Sequence, residues 1–388
     1  MFNFTFYNPT TILFGKDQIS KIDSYLPADA KVLITYGGGS AKRNGVIEQV
    51  RTALGQREVL EFGGIEPNPH YETLMKAVEV IRQNDITFLM AVGGGSVIDG
   101  TKFITLASHY KGDATDLLKF GFNRITNSTV EKVLPIGAVL TLPATGSEMN
   151  DGAVISYGNG KFPVMSNLAF PLFSVLDPTV TYTLPIKQVA NGIVDAFVHT
   201  TEQYLTFPVD ARIQDRMAEG ILQTLIEIGK QNIDEPENYD ARANMVWSAT
   251  MALNGIIGVG VPQDWATHMI GHEMTALYGL DHAQTLAIVH PALLTEMKEQ
   301  KAAKLLQFAE RVWGITTGTD NEKIELAITK TSEFFASLGV HTKLSQYGIG
   351  KDAVDKIVAQ LEAHGMTKLS ETGKITPEVS RRILERAF

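Results

Sequence analysis

The sequence predicts an α/β domain with a mainly parallel, Rossmann-like sheet over residues 1–185, followed by an all-helical domain over residues 186–388. Three observations carry this reading. Strand-like and helix-like pieces alternate up to about residue 185, as expected of a sheet with helices on its faces. Beyond that point the strand signals stop, and amphipathic stretches punctuated by Gly, Pro and Asn fill the rest of the chain. Glycine-rich turns follow strands in the first half, while closely spaced histidines fall in the second.

In order, Phe2–Tyr7 and Thr11–Phe14 flank Asn8-Pro9 and read as a hairpin with an exposed edge. Lys31–Tyr36 is an apolar strand entering Gly37-Gly38-Gly39-Ser40, with a helix over Gly45–Leu54 beyond. Glu58–Phe62 reads as a strand, Tyr71–Asn84 as a helix, and Phe88–Val92 as a strand entering Gly93-Gly94-Gly95-Ser96. A helix follows from Val97 to about His109, then strands at Val133–Leu142 and Phe173–Asp177. After Leu184-Pro185 a helix carries Asp195 and His199, and helical periodicity continues in segments to Phe388.

Composition limits the function classes. Of 388 residues, 44% are hydrophobic and 20% charged, which suits an ordinary globular protein long enough for two domains. The net charge of −9, with no basic run interleaved with aromatics, argues against a nucleic-acid partner. Zero cysteines remove disulfides, thiol nucleophiles and thiolate ligands together, a pattern compatible with the cytoplasm. The opening Met1-Phe-Asn-Phe-Thr-Phe-Tyr7 lacks a basic stretch and a long apolar core, so no secretory signal is expected. No apolar run approaches the ~18 residues of a membrane span.

The histidines concentrate the chemistry. Three of the nine lie between Trp265 and His282. His268 and His272 share a helical face one turn apart; Gly279 is placed to stop that helix and Asp281 to cap the next, with His282 in its first turn. Asp195 and His199 likewise share a face. Such a group of imidazoles and a carboxylate suits Fe2+ or Zn2+. The zinc-protease pattern does not apply, because Glu273 follows the second histidine rather than the first and position 276 is Ala. Spacing alone does not separate His272 from the other donors.

The glycine turns form the second signal. A strand that runs into Gly93-Gly94-Gly95-Ser96 and opens a helix exposes backbone N–H groups suited to a phosphate. It matches neither the dinucleotide fingerprint, since the sixth residue from Gly93 is Ile98, nor the NTPase loop, since Lys102 stands one place late. Thr141-Leu-Pro-Ala-Thr145-Gly146-Ser147 follows another strand. Ligands of open α/β sheets bind at the carboxyl ends of strands, so a nucleotide is expected in a cleft between the two domains. The Gly37–Ser40 turn holds no acidic residue and is followed by Lys42 and Arg43, which favours the 2′-phosphate of NADP(H) over NAD(H).

Taken together, Gly93-Gly-Gly-Ser-x-x-Asp99-x-x-Lys102, Thr145-Gly-Ser-Glu148, Asp195-x-x-x-His199 and His268-x-x-x-His272-x9-His282 resemble the iron-containing (group III) alcohol dehydrogenase family over essentially the full length. Tyr36–Ser40, Glu66-Pro-Asn68-Pro69 and Gly260-Val-Pro-Gln-Asp-Trp265 are similar to its butanol dehydrogenase-like branch, NADPH-dependent aldehyde reductases of broad specificity. The resemblance implies that Asp195, His199, His268 and His282 bind one divalent metal, iron or zinc, with His272 near the nicotinamide as the candidate catalytic residue. It further implies cofactor contacts at Gly94, Gly95, Ser96, Asp99, Thr141, Thr145 and Lys161, alongside Gly37, Gly38, Gly39, Ser40 and Asn68. The implied activity is hydride transfer between NADP(H) and short-chain primary alcohols or aldehydes, by a cytoplasmic homodimer. Trp265, beside the first metal histidine, is a candidate wall of an apolar substrate pocket. Two other classes share parts of the pattern: a lyase of the dehydroquinate synthase-like fold using NAD and a metal, and a metal-dependent hydrolase.

Overall fold

The computed structural model describes residues 1–388 as two compact units, Tyr7–Leu184 and a second made of Met1–Phe6 with Pro185–Phe388. In the first unit six strands form one sheet: β1 (Thr11–Phe14), β2 (Val32–Tyr36), β3 (Val59–Phe62), β4 (Phe88–Gly94), β5 (Ile136–Leu142) and, after the hairpin β6 (Gly152–Tyr157) and β7 (Gly160–Met165), β8 (Phe173–Leu176). Their order is β1-β8-β5-β4-β2-β3, and every pairing is parallel. The helices of this unit are α1 (Ser40–Arg43), α2 (Val46–Leu54), α3 (Tyr71–Asn84) and α4 (Gly95–Ser108).

The central strand β4 is apolar on both faces, as a strand covered by helices must be. On one face, Val32, Ile34, Met90, Val92 and Val139 pack with Ile19, Ile22, Ile47, Val50 and Leu54. The helix after β4 begins at Gly95 rather than Val97, and the register of β4 on β5 shifts between Gly93 and Gly94. That shift brings the glycine turn to the carboxyl edge of the sheet.

Two differences from the sequence expectation stand out. Phe2–Tyr7 is not a strand and forms no hairpin with β1, which instead pairs in parallel with β8. The first residues follow the helical unit: the Phe2 amide donates to the Gly260 carbonyl at 2.9 Å, and Phe2 meets Phe207 edge-on at 6.3 Å. The hairpin β6–β7 was not expected. It pairs antiparallel through Gly158-Asn159, with Gly158 at φ 56°.

The second unit is helical throughout: α5 (Ile186–Tyr204), α6 (Arg212–Asp234), α7 (Tyr239–Leu253), α8 (Ala266–Tyr278), α9 (His282–Glu296), α10 (Ala302–Arg311), α11 (Asp320–Ser337), α12 (Ala353–Ala363) and α13 (Pro377–Arg386). The middle is α5, buried from Val189 to Tyr204. Phe197 on it packs edge-on to Phe308 and Phe335 and tilted against Phe334. A helix buried all round is normally apolar all round. Here it also carries Asp195, His199, Thr200, Thr201, Glu202 and Gln203, and buried polar groups require partners.

Candidate metal centre and cofactor turns

Those partners come from α8 and α9. Asp281 caps α9 through a capping box with Gln284, as the sequence indicated, and accepts from Asn191 Nδ2 at 3.0 Å and Lys187 Nζ at 2.8 Å, both on α5. This anchors the start of α9 one helical turn from Asp195, so His282 meets the Asp195 face of α5. The Nε2 atoms of His199, His268 and His282 lie 3.6, 3.8 and 3.6 Å from Asp195 Oδ1. One donor atom from each of the four residues falls within 4.8 Å of every other.

These separations exceed a hydrogen bond. They fit donors about 2.1 Å from a shared ion, which in a regular tetrahedron stand about 3.4 Å apart. Asp195 Oδ1 and His268 Nε2 are buried with no hydrogen-bond partner, a costly state that a cation between them would relieve. The side chains of Asp195, His199 and His268 are nearly inaccessible, while His282 remains 25% exposed and marks the open side. The donors, three neutral imidazole nitrogens and one carboxylate oxygen, suit Fe2+ or Zn2+.

A fifth residue completes the group. Glu202 lies three positions after His199 on α5, and its carboxylate takes the Nδ1 side of His268 while its other oxygen accepts the Thr267 amide at 2.7 Å. With Nδ1 so engaged, Nε2 is the nitrogen left facing Asp195. Burial alone would lower the His268 pKa, but Glu202 and Asp195 raise it to about 9. Burial raises the Glu202 carboxyl against the opposing pull of His268. Sequence reasoning passed over Glu202, although its i+3 spacing from His199 places it on the same helical face.

His272 stands outside the four, its ring 5.2 Å from that of His282 and 6.2 Å from that of His268. Trp265 lies on another side, edge-on to His268 at 5.4 Å and to His199 at 6.2 Å. His290, a further buried histidine of α9, sits between the Thr201 hydroxyl at 3.0 Å and the Thr267 hydroxyl at 3.1 Å. It thereby links the three donor-bearing helices. Burial, with the positive charges of Lys301 and His268, lowers its pKa to about 3, so it is neutral.

In the α/β unit the expected cofactor residues gather at the carboxyl ends of β2, β4 and β5. A Cβ on Gly95 would lie 2.3 Å from Thr145 Oγ1, so only glycine permits this approach of the two turns. Ser96 Oγ accepts the Asn68 amide at 3.2 Å, which joins the 66–69 segment to the start of α4. Asp99 is committed within the protein, accepting from Ser147 Oγ at 2.6 Å and from the Val154 amide at 2.9 Å. Thr141 lies in β5 beside the Gly94–Leu142 pairing, and Lys161 lies in β7 opposite Ser156.

The Gly37–Ser40 turn differs from its sequence reading in one respect. No acidic residue lies within it, yet Glu61 of the neighbouring β3 reaches its flank, bonding Lys42 Nζ at 3.0 Å and Arg51 Nε at 2.8 Å. Burial pushes the Glu61 carboxyl up, but the hydrogen bonds from Arg51 and Lys42 outweigh it and the pKa is lowered. Lys42 is thus engaged with a carboxylate, and Arg43 points Nη1 at the Gly38 carbonyl at 3.4 Å.

Comparison with known proteins decides the family. The iron-containing alcohol dehydrogenase model matches residues 9–178, and the C-terminal model of the Fe-containing alcohol dehydrogenase family matches residues 189–386. The chain belongs to the iron-containing alcohol dehydrogenase family. It is 59% identical to the NADPH-dependent aldehyde reductase YqhD of Escherichia coli, with all of both chains covered. It is 40% identical to NADP-dependent alcohol dehydrogenase 3 of Entamoeba histolytica, covering 94% of each, and 37% identical to NADH-dependent butanol dehydrogenase A of Clostridium acetobutylicum, covering all of each. The substrate- and cofactor-free structure of E. coli YqhD superposes with a TM-score of 0.94 at 57% identity over all of both chains. That of a Thermotoga maritima NADH-dependent butanol dehydrogenase A gives 0.93 at 36% identity, covering 100% of this chain and 99% of the other. An oxidoreductase of this family leaves no place for the lyase and hydrolase alternatives.

Proposed function

We propose that the chain is a metal-dependent NADP(H) alcohol dehydrogenase and aldehyde reductase acting broadly on short-chain primary alcohols and aldehydes. The carrying observation is the convergence of three imidazole nitrogens on Asp195 Oδ1 in a chain so similar to an NADPH-dependent aldehyde reductase. Asp195, His199, His268 and His282 would hold one Fe2+ or Zn2+. Gly37–Ser40, Asn68, Gly94–Ser96, Asp99, Thr141, Thr145 and Lys161 would line the cofactor site. When bound, the metal supplies Lewis acidity toward the substrate oxygen and the nicotinamide supplies the hydride.

The protein's own part is positional. Asp195 brings one negative charge into a dry site, where a divalent ion is its natural counter-charge. Glu202 fixes His268 through Nδ1, and neutral His290 holds α5, α8 and α9 together without competing for the ion. His272, beside His282, is the group placed to hold or pass a proton at the substrate oxygen. Mixing the protein with NADPH and butanal, with and without added Zn2+ or Fe2+, tests the reading. Absorbance at 340 nm should fall only with metal present, and no oxidation of NADPH under any condition would reject it.

We further infer that the enzyme is a homodimer. Met1, Phe2, Phe4 and Phe6 expose between 43% and 62% of their surface, an apolar run that a second copy would cover. A monomer by sedimentation at micromolar concentration would contradict this. No helix is long and apolar enough to cross a membrane; a cytoplasmic location is the reading we adopt, and fractionation of cells tests it.

A further inference from the structure

Trp265 has φ 62°, in the left-handed region that bulky side chains rarely adopt. It is the residue from which α8 starts, three positions before His268. Such a conformation persists only where the surroundings over-determine it, and such residues cluster at functional sites. Here both flanks are pinned. The Asp264 amide donates to the Glu202 carbonyl at 2.9 Å, Asp264 Oδ1 accepts the Ala266 amide at 3.0 Å, and the Trp265 carbonyl accepts the Met269 amide at 3.1 Å. The indole N–H is held by Gln263 Oε1 at 2.8 Å.

Behind this turn lies a buried ion group that the reaction as described does not use. Lys301 Nζ lies 2.7 Å from Asp264 Oδ2, 3.2 Å from Glu371 Oε1 and 2.8 Å from the Leu205 carbonyl. The side chains of Lys301, Asp264 and Glu371 are 3%, 3% and 5% exposed. Burial works against the lysine charge, yet the two carboxylates keep its pKa raised. An apolar cluster of similar volume commonly gives equal stability, so a buried ion group calls for another role. Its contacts supply one: Leu205 follows the end of α5, Asp264 precedes Trp265, and Lys301 itself begins α10.

We propose that Lys301 is a positioning residue for the metal centre: through Asp264 it holds Trp265 in its left-handed conformation, laying the indole against His199 and His268. This rests on the reading of Asp195, His199, His268 and His282 as a metal site. Glu371 completes the charge balance from the C-terminal segment. The indole in turn restricts the tilt of the two imidazoles it touches, so loosening the turn loosens the ion.

The test uses the full-length protein loaded with Zn2+ and follows zinc release to a chromogenic chelator. Asp264→Asn keeps an acceptor for the Ala266 amide but weakens the hold of Lys301, and should speed release roughly tenfold or more. Trp265→Gly places at this position the one residue that takes φ 62° without strain. In that background Asp264→Asn should change release less than about twofold, because the strain it served to hold is gone. Equal effects in the two backgrounds would overturn the proposal. The charge-neutral pair Lys301→Met with Asp264→Asn leaves no lone buried charge from that ion pair and should still release zinc roughly tenfold faster. A folded double variant that releases zinc like wild type would also overturn it. A merely structural ion group would shift the unfolding midpoint while leaving zinc release alone. Wild-type protein that retains no zinc would defeat the metal reading itself, and this inference with it.

Discussion

Glu202 and His268 are bonded carboxylate to Nδ1 inside the helical unit, from α5 to α8, with the Thr267 amide on the second carboxylate oxygen at 2.7 Å. The pair fixes which imidazole nitrogen faces Asp195. Glu202→Gln keeps the shape and the Thr267 contact but weakens the hold on Nδ1. Metal affinity should fall by roughly ten- to a hundredfold. Competition against a chelator of known affinity measures this directly, and an unchanged constant would contradict the assigned role.

The geometry separates His272 from its neighbours, and that separation has a consequence. His268→Ala and Asp195→Ala should each lose metal and activity together. His272→Ala should keep a full equivalent of metal by elemental analysis while losing only part of kcat. Equal metal loss in all three variants would overturn the ligand assignment.

Cofactor choice turns on Gly37–Ser40 and on Glu61. A Cβ on Gly37 would stand 3.2 Å from the Ile65 carbonyl, whereas one on Gly38 would meet nothing within 4 Å, so Gly38→Asp adds a carboxylate with little disturbance. That charge repels a 2′-phosphate and accepts from ribose hydroxyls, and the kcat/KM ratio of NADPH to NADH should fall on the order of tenfold. Glu61→Gln acts in the opposite sense. It weakens the hold on Lys42 and removes a nearby negative charge, so the ratio should rise. Both ratios come from initial rates with each cofactor, and movement in the same direction would refute the account.

Acid sensitivity follows from His290. Its pKa is lowered to about 3 by burial, whereas the unfolded chain protonates it near the ordinary 6.5. Between those values the unfolded state binds the extra proton, so stability present above pH 6.5 is lost as the pH falls toward 3. Each unit of the difference is worth about 1.4 kcal/mol. In metal-stripped protein, where ligand protonation adds no metal release, urea midpoints should drop more steeply from pH 6.5 to pH 4 in wild type than in His290→Gln. Parallel slopes would count against a neutral, buried His290.

Local signals were legible in the sequence; distant partnerships were not. The helix carrying Asp195 and His199 is fixed by periodicity, and the start of α9 by Asp281 three residues before Gln284. The β6–β7 hairpin went unread although Gly158-Asn159 separates two short runs, because those strands pair only with each other beside a dominant parallel sheet. The supposed strand Phe2–Tyr7 misled for the converse reason: its aromatics alternate as a strand would, yet no neighbouring strand offers hydrogen bonds. Lys42 with Glu61, separated by 19 positions, and Lys301 with Asp264 are pairings that only the folded topology creates. Spacing placed His268, His272 and His282 together but could not rank them, since one-turn intervals say which face a donor occupies and not where its nitrogen ends.

His290 has a further consequence. The hydroxyls of Thr201 and Thr267 grip it from the same helices that present Asp195, His199 and His268, and none of these three gripping residues is a donor. The cage is therefore braced by struts that stay in place when the ion departs. Stripping and reloading should proceed as simple exchange, complete within mixing and without passage through an unfolded chain. Which ion the enzyme carries is then a matter of supply during its working life and not a choice frozen in as the chain first folds.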